Sequence, residues 1–148
     1  MMSIQSNTAP GSDPSGGSAS DEEVEQRHRS VLIVDDDEMV RRVSARMLSG
    51  ADVLMASSGA EACQLLVERG DDPVDCVLLD MRMPGLTFEE AFEGIRQIRP
   101  NLPVVACSGN GLEAVGRDFI ETPGTGFLGK PFTRQELRDA IDQAMGGS

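Results

Sequence analysis

Between Asp75 and Gly85 the chain reads Asp-Cys-Val-Leu-Leu-Asp-Met-Arg-Met-Pro-Gly, an apolar run that ends in a carboxylate and then meets a turn signal. A short continuous apolar run, without alternating polar residues, reads as a strand buried on both faces of a parallel sheet. Such a strand requires other layers above and below it. Pro84-Gly85 turns the chain directly afterwards. Asp80 is therefore expected at the carboxyl end of a central strand, the edge where open α/β sheets place their chemistry.

The same grammar recurs along the chain. Val31-Leu32-Ile33-Val34 is a second such run and ends in Asp35-Asp36-Asp37. Met39, Val40, Val43, Met47 and Leu48 follow at helical spacing, with Arg41, Arg42 and Arg46 on the other face, until Ser49-Gly50 stops the helix. Val53-Leu54-Met55-Ala56 is a third strand, and Ser58 with Glu61 spells a capping box for a helix burying Ala62, Leu65 and Leu66. Thr87 with Glu90 opens a helix whose apolar stripe is Phe88, Ala91, Phe92 and Ile95. Pro103 to Cys107 is the next strand, leading into Ser108-Gly109-Asn110-Gly111. Leu112, Val115 and Phe119 predict a weak helix, diluted by Gly111 and Gly116. Gly126-Phe127-Leu128-Gly129 is a short last strand before Lys130-Pro131. Thr133 with Glu136 caps a final helix that buries Leu137, Ala140, Ile141 and Ala144. Strand and helix alternate five times, which predicts an α/β fold with a parallel sheet covered on both faces.

At 148 residues the chain has the length of one domain. Residues 1–29, rich in Ser, Gly, Pro and Asp, lack the apolar surface that offsets ordering and are expected to be a disordered tail, with the folded domain over 30–148. His28, the lone histidine, lies in this solvated stretch with no second ligand nearby. Thirteen Lys and Arg against 25 Asp and Glu leave a net charge of −12, which argues against direct binding of nucleic acid or an anionic membrane. With no apolar stretch of membrane-spanning length and no targeting signal, a soluble cytoplasmic protein is expected. Cys63, Cys76 and Cys107 have no zinc spacing and read as small buried hydrophobes of a reducing compartment.

In a parallel sheet all strands end at one edge, so Asp35, Asp36, Asp37, Asp80, Ser108 and Lys130 can converge. Carboxylates gathered in this way repel one another unless a cation neutralises them. Mg²⁺, a hard ion with oxygen ligands, does so and leaves room for a phosphate oxygen. A hydroxyl and an ammonium at the same rim are donors for an anion. A metal half, a carboxylate nucleophile and an anion half are what phosphoryl transfer to an aspartate needs.

Taken together, Val34-Asp35-Asp36, Leu79 to Gly85, Ser108-Gly109 and Lys130-Pro131-Phe132 resemble, in order and separation, the receiver domains of two-component response regulators across Val31 to Met145. The resemblance implies a flavodoxin-like sheet of five strands in the order 2-1-3-4-5. It implies that Asp80 is the phosphoacceptor, with Asp35, Asp36, Asp80 and the backbone carbonyl of Arg82 around Mg²⁺. Ser108 would bind a phosphoryl oxygen, Lys130 would pair with the phosphate, and Ser108 with Phe127 would form the switch. Arg82 and Asn110 would flank the path of the hydrolytic water. The implied partners are a histidine kinase or histidine phosphotransfer protein and a downstream protein reading the helix 4–strand 5–helix 5 face, in a single-domain regulator or in the receiver of a hybrid kinase. Such a chain catalyses its own phosphorylation and dephosphorylation without being a conventional enzyme. The alternative is a Mg²⁺-dependent phosphatase with an aspartyl nucleophile; those enzymes carry a second acid two residues on, where this chain has Arg82. Gly124 to Gly129 spells G-x-G-x-x-G, but it follows Pro123 and runs into Lys130-Pro131 instead of opening a helix, so it is no dinucleotide fingerprint.

Overall fold

A computed structural model describes residues 29–111 and 115–146. The expected tail therefore lies outside the described residues apart from Arg29, as do His28 and Leu112. In chain order the elements are β1 (Ser30–Val34), α1 (Glu38–Met47), β2 (Asp52–Ala56), α2 (Gly59–Arg69) and β3 (Cys76–Asp80). They continue with α3 (Phe88–Ile98), β4 (Val104–Ser108), α4 (Arg117–Glu121), β5 (Thr125–Gly129) and α5 (Arg134–Ala144). The five strands form one sheet in the order β2-β1-β3-β4-β5, and every pairing is parallel.

The apolar runs explain the layers. Successive side chains of a strand point to opposite faces, so Val31 and Ile33, Cys76 and Leu78, and Val105 and Cys107 enter one core with α5 and Leu48. Leu32 and Val34, Val77 and Leu79, and Val104 and Ala106 enter the other core, under α2, α3 and α4. Every residue of β3 and β4 is buried. The two residues at which these strands end, Asp80 and Ser108, fall on opposite sides of that alternation. Asp80 follows Cys76 and Leu78 on the α5 side, whereas Ser108 follows Val104 and Ala106 on the α3 side.

Three expectations are corrected. The buried side of α1 is not the whole apolar stripe: Met39 and Val43 are exposed, while Ser44 and Leu48 are buried. Met39 and Val43 instead line a groove of about 340 Å³ with Val40, Met47, Pro131 and Phe132, because the loop after β5 lies over that flank of the helix. The capping box at Ser58 is only half formed. Its hydroxyl accepts from the Glu61 N–H at 3.1 Å, but the Glu61 carboxylate takes the N–H and hydroxyl of Ser57. The boxes at Thr87 and Thr133 are complete. Finally, the helix expected from the Leu112, Val115 and Phe119 spacing is confined, among the described residues, to the five residues of α4, with Gly116 at its N-cap.

Candidate active site

The site is assembled by strand ends. β1 delivers Asp35, 3% exposed, and β3 delivers Asp80, 6% exposed. After Asp80 the chain leaves the sheet through Pro84 and Gly85, the latter at φ +96°, where an L side chain would be strained. Lys130, directly after β5, is held to the neighbouring strand by its N–H, which donates to the Ser108 carbonyl at 2.8 Å. Its Nζ then donates to Asp35 Oδ2 at 2.8 Å and to Asp80 Oδ1 at 2.9 Å. One ammonium therefore lies between two nearly buried carboxylates.

Burial pushes the Asp80 carboxyl above its ordinary value; the Lys130 hydrogen bond pulls it back and the Asp35 charge pushes it further up. For Lys130, burial alone would lower the ammonium, but its bonds to Asp35 and Asp80 outweigh this and raise it. The Lys130 ammonium thus opposes, without cancelling, the upward push that burial gives Asp80. Burial likewise pushes the neighbouring thiols up, Cys76 to about 12, so they are inert packing residues.

Asp36 is exposed, yet carboxylate oxygens of Asp35, Asp36 and Asp80 lie within 4.8 Å of one another. Three oxygens converging at this separation suit a hard divalent cation with remaining positions for water. Ser108 is 3% exposed and its Oγ accepts from the Asn110 N–H at 3.0 Å. Arg82, exposed on the turn after β3, points its side chain across to Asn110. With the Asn110 amide turned to satisfy both groups, its oxygen accepts from Arg82 Nε and Nη2, each at 3.1 Å. Phe127 is half-buried opposite Ala106 and packs on the α3 side of the sheet. The expected residues therefore divide in two. Asp35, Asp36, Asp80 and Lys130 meet in one cluster, while Ser108, Arg82 and Asn110 form its rim and Phe127 stands behind Ser108's side of the sheet.

The pattern of the response regulator receiver domain matches residues 31–142. The chain belongs to the response regulator receiver family. It is 33% identical to the two-component response regulator ORR41 of Oryza sativa over 110 residues, covering 72% of this chain and 87% of that protein. It is 30% identical to the sensor kinase CckA of Brucella abortus over 118 residues, covering 78% of this chain but 12% of that kinase. Relatives thus include both a small regulator of about this length and a long kinase of which this receiver would be a minor part. Among solved structures, the receiver domain of a sensor histidine kinase from Pseudomonas aeruginosa is 26% identical with a TM-score of 0.67, over 80% of this chain and 98% of that one. That structure holds a magnesium ion coordinated in its active-site cleft.

Two features were not foreseen from the sequence. One is the apolar groove beside Lys130, which the overly wide stripe of α1 could have announced. The other is Arg41, whose Nη1 donates to the Asp35 carbonyl at 2.6 Å. Its signal in the sequence was an arginine one turn into a helix that starts on strand-end acids.

Proposed function

We propose that this receiver accepts a phosphoryl group on Asp80 from a histidine kinase or histidine phosphotransfer protein and thereby switches a protein-binding face. The observation that carries this reading is the Lys130 ammonium shared by Asp35 and Asp80, with the Asp36 carboxylate converging on the same point. Asp80 Oδ attacks phosphorus as the bond from phosphorus to the donor's imidazole nitrogen breaks, and that nitrogen takes up a proton. Asp35, Asp36 and Asp80, with the Arg82 carbonyl, would hold Mg²⁺. The ion supplies positive charge to the phosphoryl oxygens. Lys130, already within reach of Asp80, is placed to pair with the phosphoryl group, and Ser108 offers its hydroxyl from the next strand. The carboxylate that a phosphatase of the alternative class needs two residues after its nucleophile is replaced by Arg82, which engages Asn110.

The donor's protein surface has an apolar groove to seat on, since Lys130 lines that groove as well as the acceptor site. A partner that must reach Asp80 would cover Met39, Val43, Pro131 and Phe132. We read the receiver as lying over 30–148 after a low-complexity tail and acting in the cytoplasm; among the described residues no helix is long and apolar enough to cross a membrane. For output, phosphate on Asp80 would draw Ser108 toward it, and Phe127 would turn into the space vacated, reshaping the face of α4, β5 and α5. Incubation with acetyl phosphate and Mg²⁺ should add one acid-stable, base-labile phosphoryl group. The substitution Asp80→Asn should abolish it, and undiminished labelling would refute the assignment.

A further inference from the structure

β1 ends at Val34, and its ladder with β2 continues one step further, through the Asp35 N–H donating to the Ala56 carbonyl at 3.1 Å. The chain then leaves the sheet, and the Asp35 carbonyl finds its partner in a side chain: Arg41 Nη1 at 2.6 Å. A carbonyl and the following N–H belong to one planar unit. Fixing the Asp35 oxygen therefore fixes the peptide plane from which Asp36 projects. The next link is fixed too, since the Asp37 N–H donates to Asp35 Oδ1 at 2.9 Å and the Asp37 carboxylate caps α1 by accepting from the Met39 N–H.

Arg41 is itself held in place. It is half-buried, and its own N–H donates to the Asp37 carbonyl in the first turn of α1. Across from it lies Glu61 of α2, whose carboxylate is fastened by the N–H and hydroxyl of Ser57 at 2.6 and 2.7 Å. Those Ser57 bonds hold Glu61 below its ordinary value, with the Arg41 charge adding to them. The guanidinium thus bonds the turn after β1 directly and acts on the turn after β2 only through its charge.

We propose that Arg41 is a positioning residue that aims Asp36 and Asp35 at the divalent ion, so that losing its hydrogen bond weakens Mg²⁺ binding. The inference rests on the phosphoacceptor reading of the site. Its sign separates it from simple electrostatics. A guanidinium near a cation site repels the cation, so a role through charge alone means that removing Arg41 tightens binding. A role through geometry means the reverse, and removal of groups that orient metal ligands weakens metal affinity by about tenfold or more.

The test is calorimetric titration of the metal-free full chain with MgCl₂, without any phosphodonor. Arg41→Met keeps the apolar stem and removes the donor; it is expected to weaken Mg²⁺ binding about tenfold. Arg41→Lys restores a charged donor on a long stem and should recover to within about threefold. Arg42→Ala removes an exposed neighbour that pairs with Glu38 at 3.5 Å, and should leave the affinity unchanged. Melting of the metal-free proteins, recorded alongside, separates a loss of geometry from a loss of fold. Unchanged or tighter binding in Arg41→Met overturns the inference, as does an equal loss in Arg42→Ala. A wild-type chain that binds no Mg²⁺ would refute the functional reading itself.

Discussion

α3 and α4 follow the two neighbouring strands that end in Asp80 and Ser108, and they are built on opposite terms. α3 has eleven residues, a complete capping box at Thr87 and Glu90, and three buried side chains, Phe88, Ala91 and Ile95. Its Arg96 fastens it further, donating to the carbonyls of Leu102 at 2.8 Å, Pro123 at 2.9 Å and Gly124 at 3.1 Å. α4 has five residues and an N-cap glycine without a side-chain bond, and Phe119 is its buried residue. It is tethered to α3 chiefly through that ring, which meets Phe88 and Phe92 edge-on at 5.1 and 4.8 Å. Short elements with little buried apolar surface open at low cost, and switches draw on such elements. The contrast bears on where a signal would leave: the helix behind the acceptor is capped and anchored, whereas the short helix behind Ser108 has less to lose on opening, as the proposed switch would need.

The largest effect should come from loading the site. With Mg²⁺ and beryllofluoride as phosphoryl mimic, hydrogen exchange in residues 109–129 should change by about tenfold or more, with little change over Phe88–Ile98. Equal changes in both helices would dissolve the contrast. Next, Thr87→Ala removes the cap of the stable helix and should cost about 1 kcal/mol in chemical denaturation; an unchanged midpoint would show that packing alone holds α3. A smaller effect is expected where the two turns meet. Arg82→Ala breaks the Arg82–Asn110 contact and should shift the dephosphorylation rate severalfold, on the order of 0.5–1 kcal/mol in barrier. Mg²⁺ affinity should stay nearly constant, and an unaltered rate would mean that this pair stands aside from the water path. The smallest effect is a gain. Gly116 sits at φ −68°, ψ 152° with open space around an added Cβ. Gly116→Asp should stabilise α4 by a few tenths of a kcal/mol and slow exchange at Arg117–Glu121. Faster exchange there would show that this end of α4 is not limited by its cap.

Much of the architecture was legible because its signals are local. Val31 to Val34, Cys76 to Leu79 and Val104 to Cys107 read as doubly buried strands, and each is one. Parallel pairing followed from the helices between them, and the turn at Pro84-Gly85 from its two residues. Misreadings arose where a choice had to be made between equivalent local partners. Glu61 could cap with Ser58 or with Ser57, and the neighbouring hydroxyl at 2.7 Å drew it to Ser57. The Val115 and Phe119 spacing predicts a weak helix diluted by Gly111 and Gly116, and among the described residues it is the five-residue α4, which starts only after Gly116. Four candidate site residues, Asp35, Asp36, Asp80 and Lys130, are gathered at one sheet edge, because every strand of a parallel sheet must end there. How Arg82 and Asn110 would pair across the mouth was not legible, since exposed side chains on separate turns leave no periodic trace.

By itself, then, the sequence determined the strands, the capping boxes at Thr87 and Thr133 and the order in which acid, hydroxyl and lysine reach the carboxyl edge, since periodicity and turn chemistry act between residues a few positions apart. Only the tertiary structure decided which flank of α1 faces the core and which is left as a groove. It alone put Lys130 between Asp35 and Asp80, 95 and 50 residues away along the chain. It also brought Arg41 onto the Asp35 carbonyl. The physical reason is common to all three. Each depends on how layers settle against one another, and a hydrogen bond between groups distant in sequence exists only once both layers have been placed.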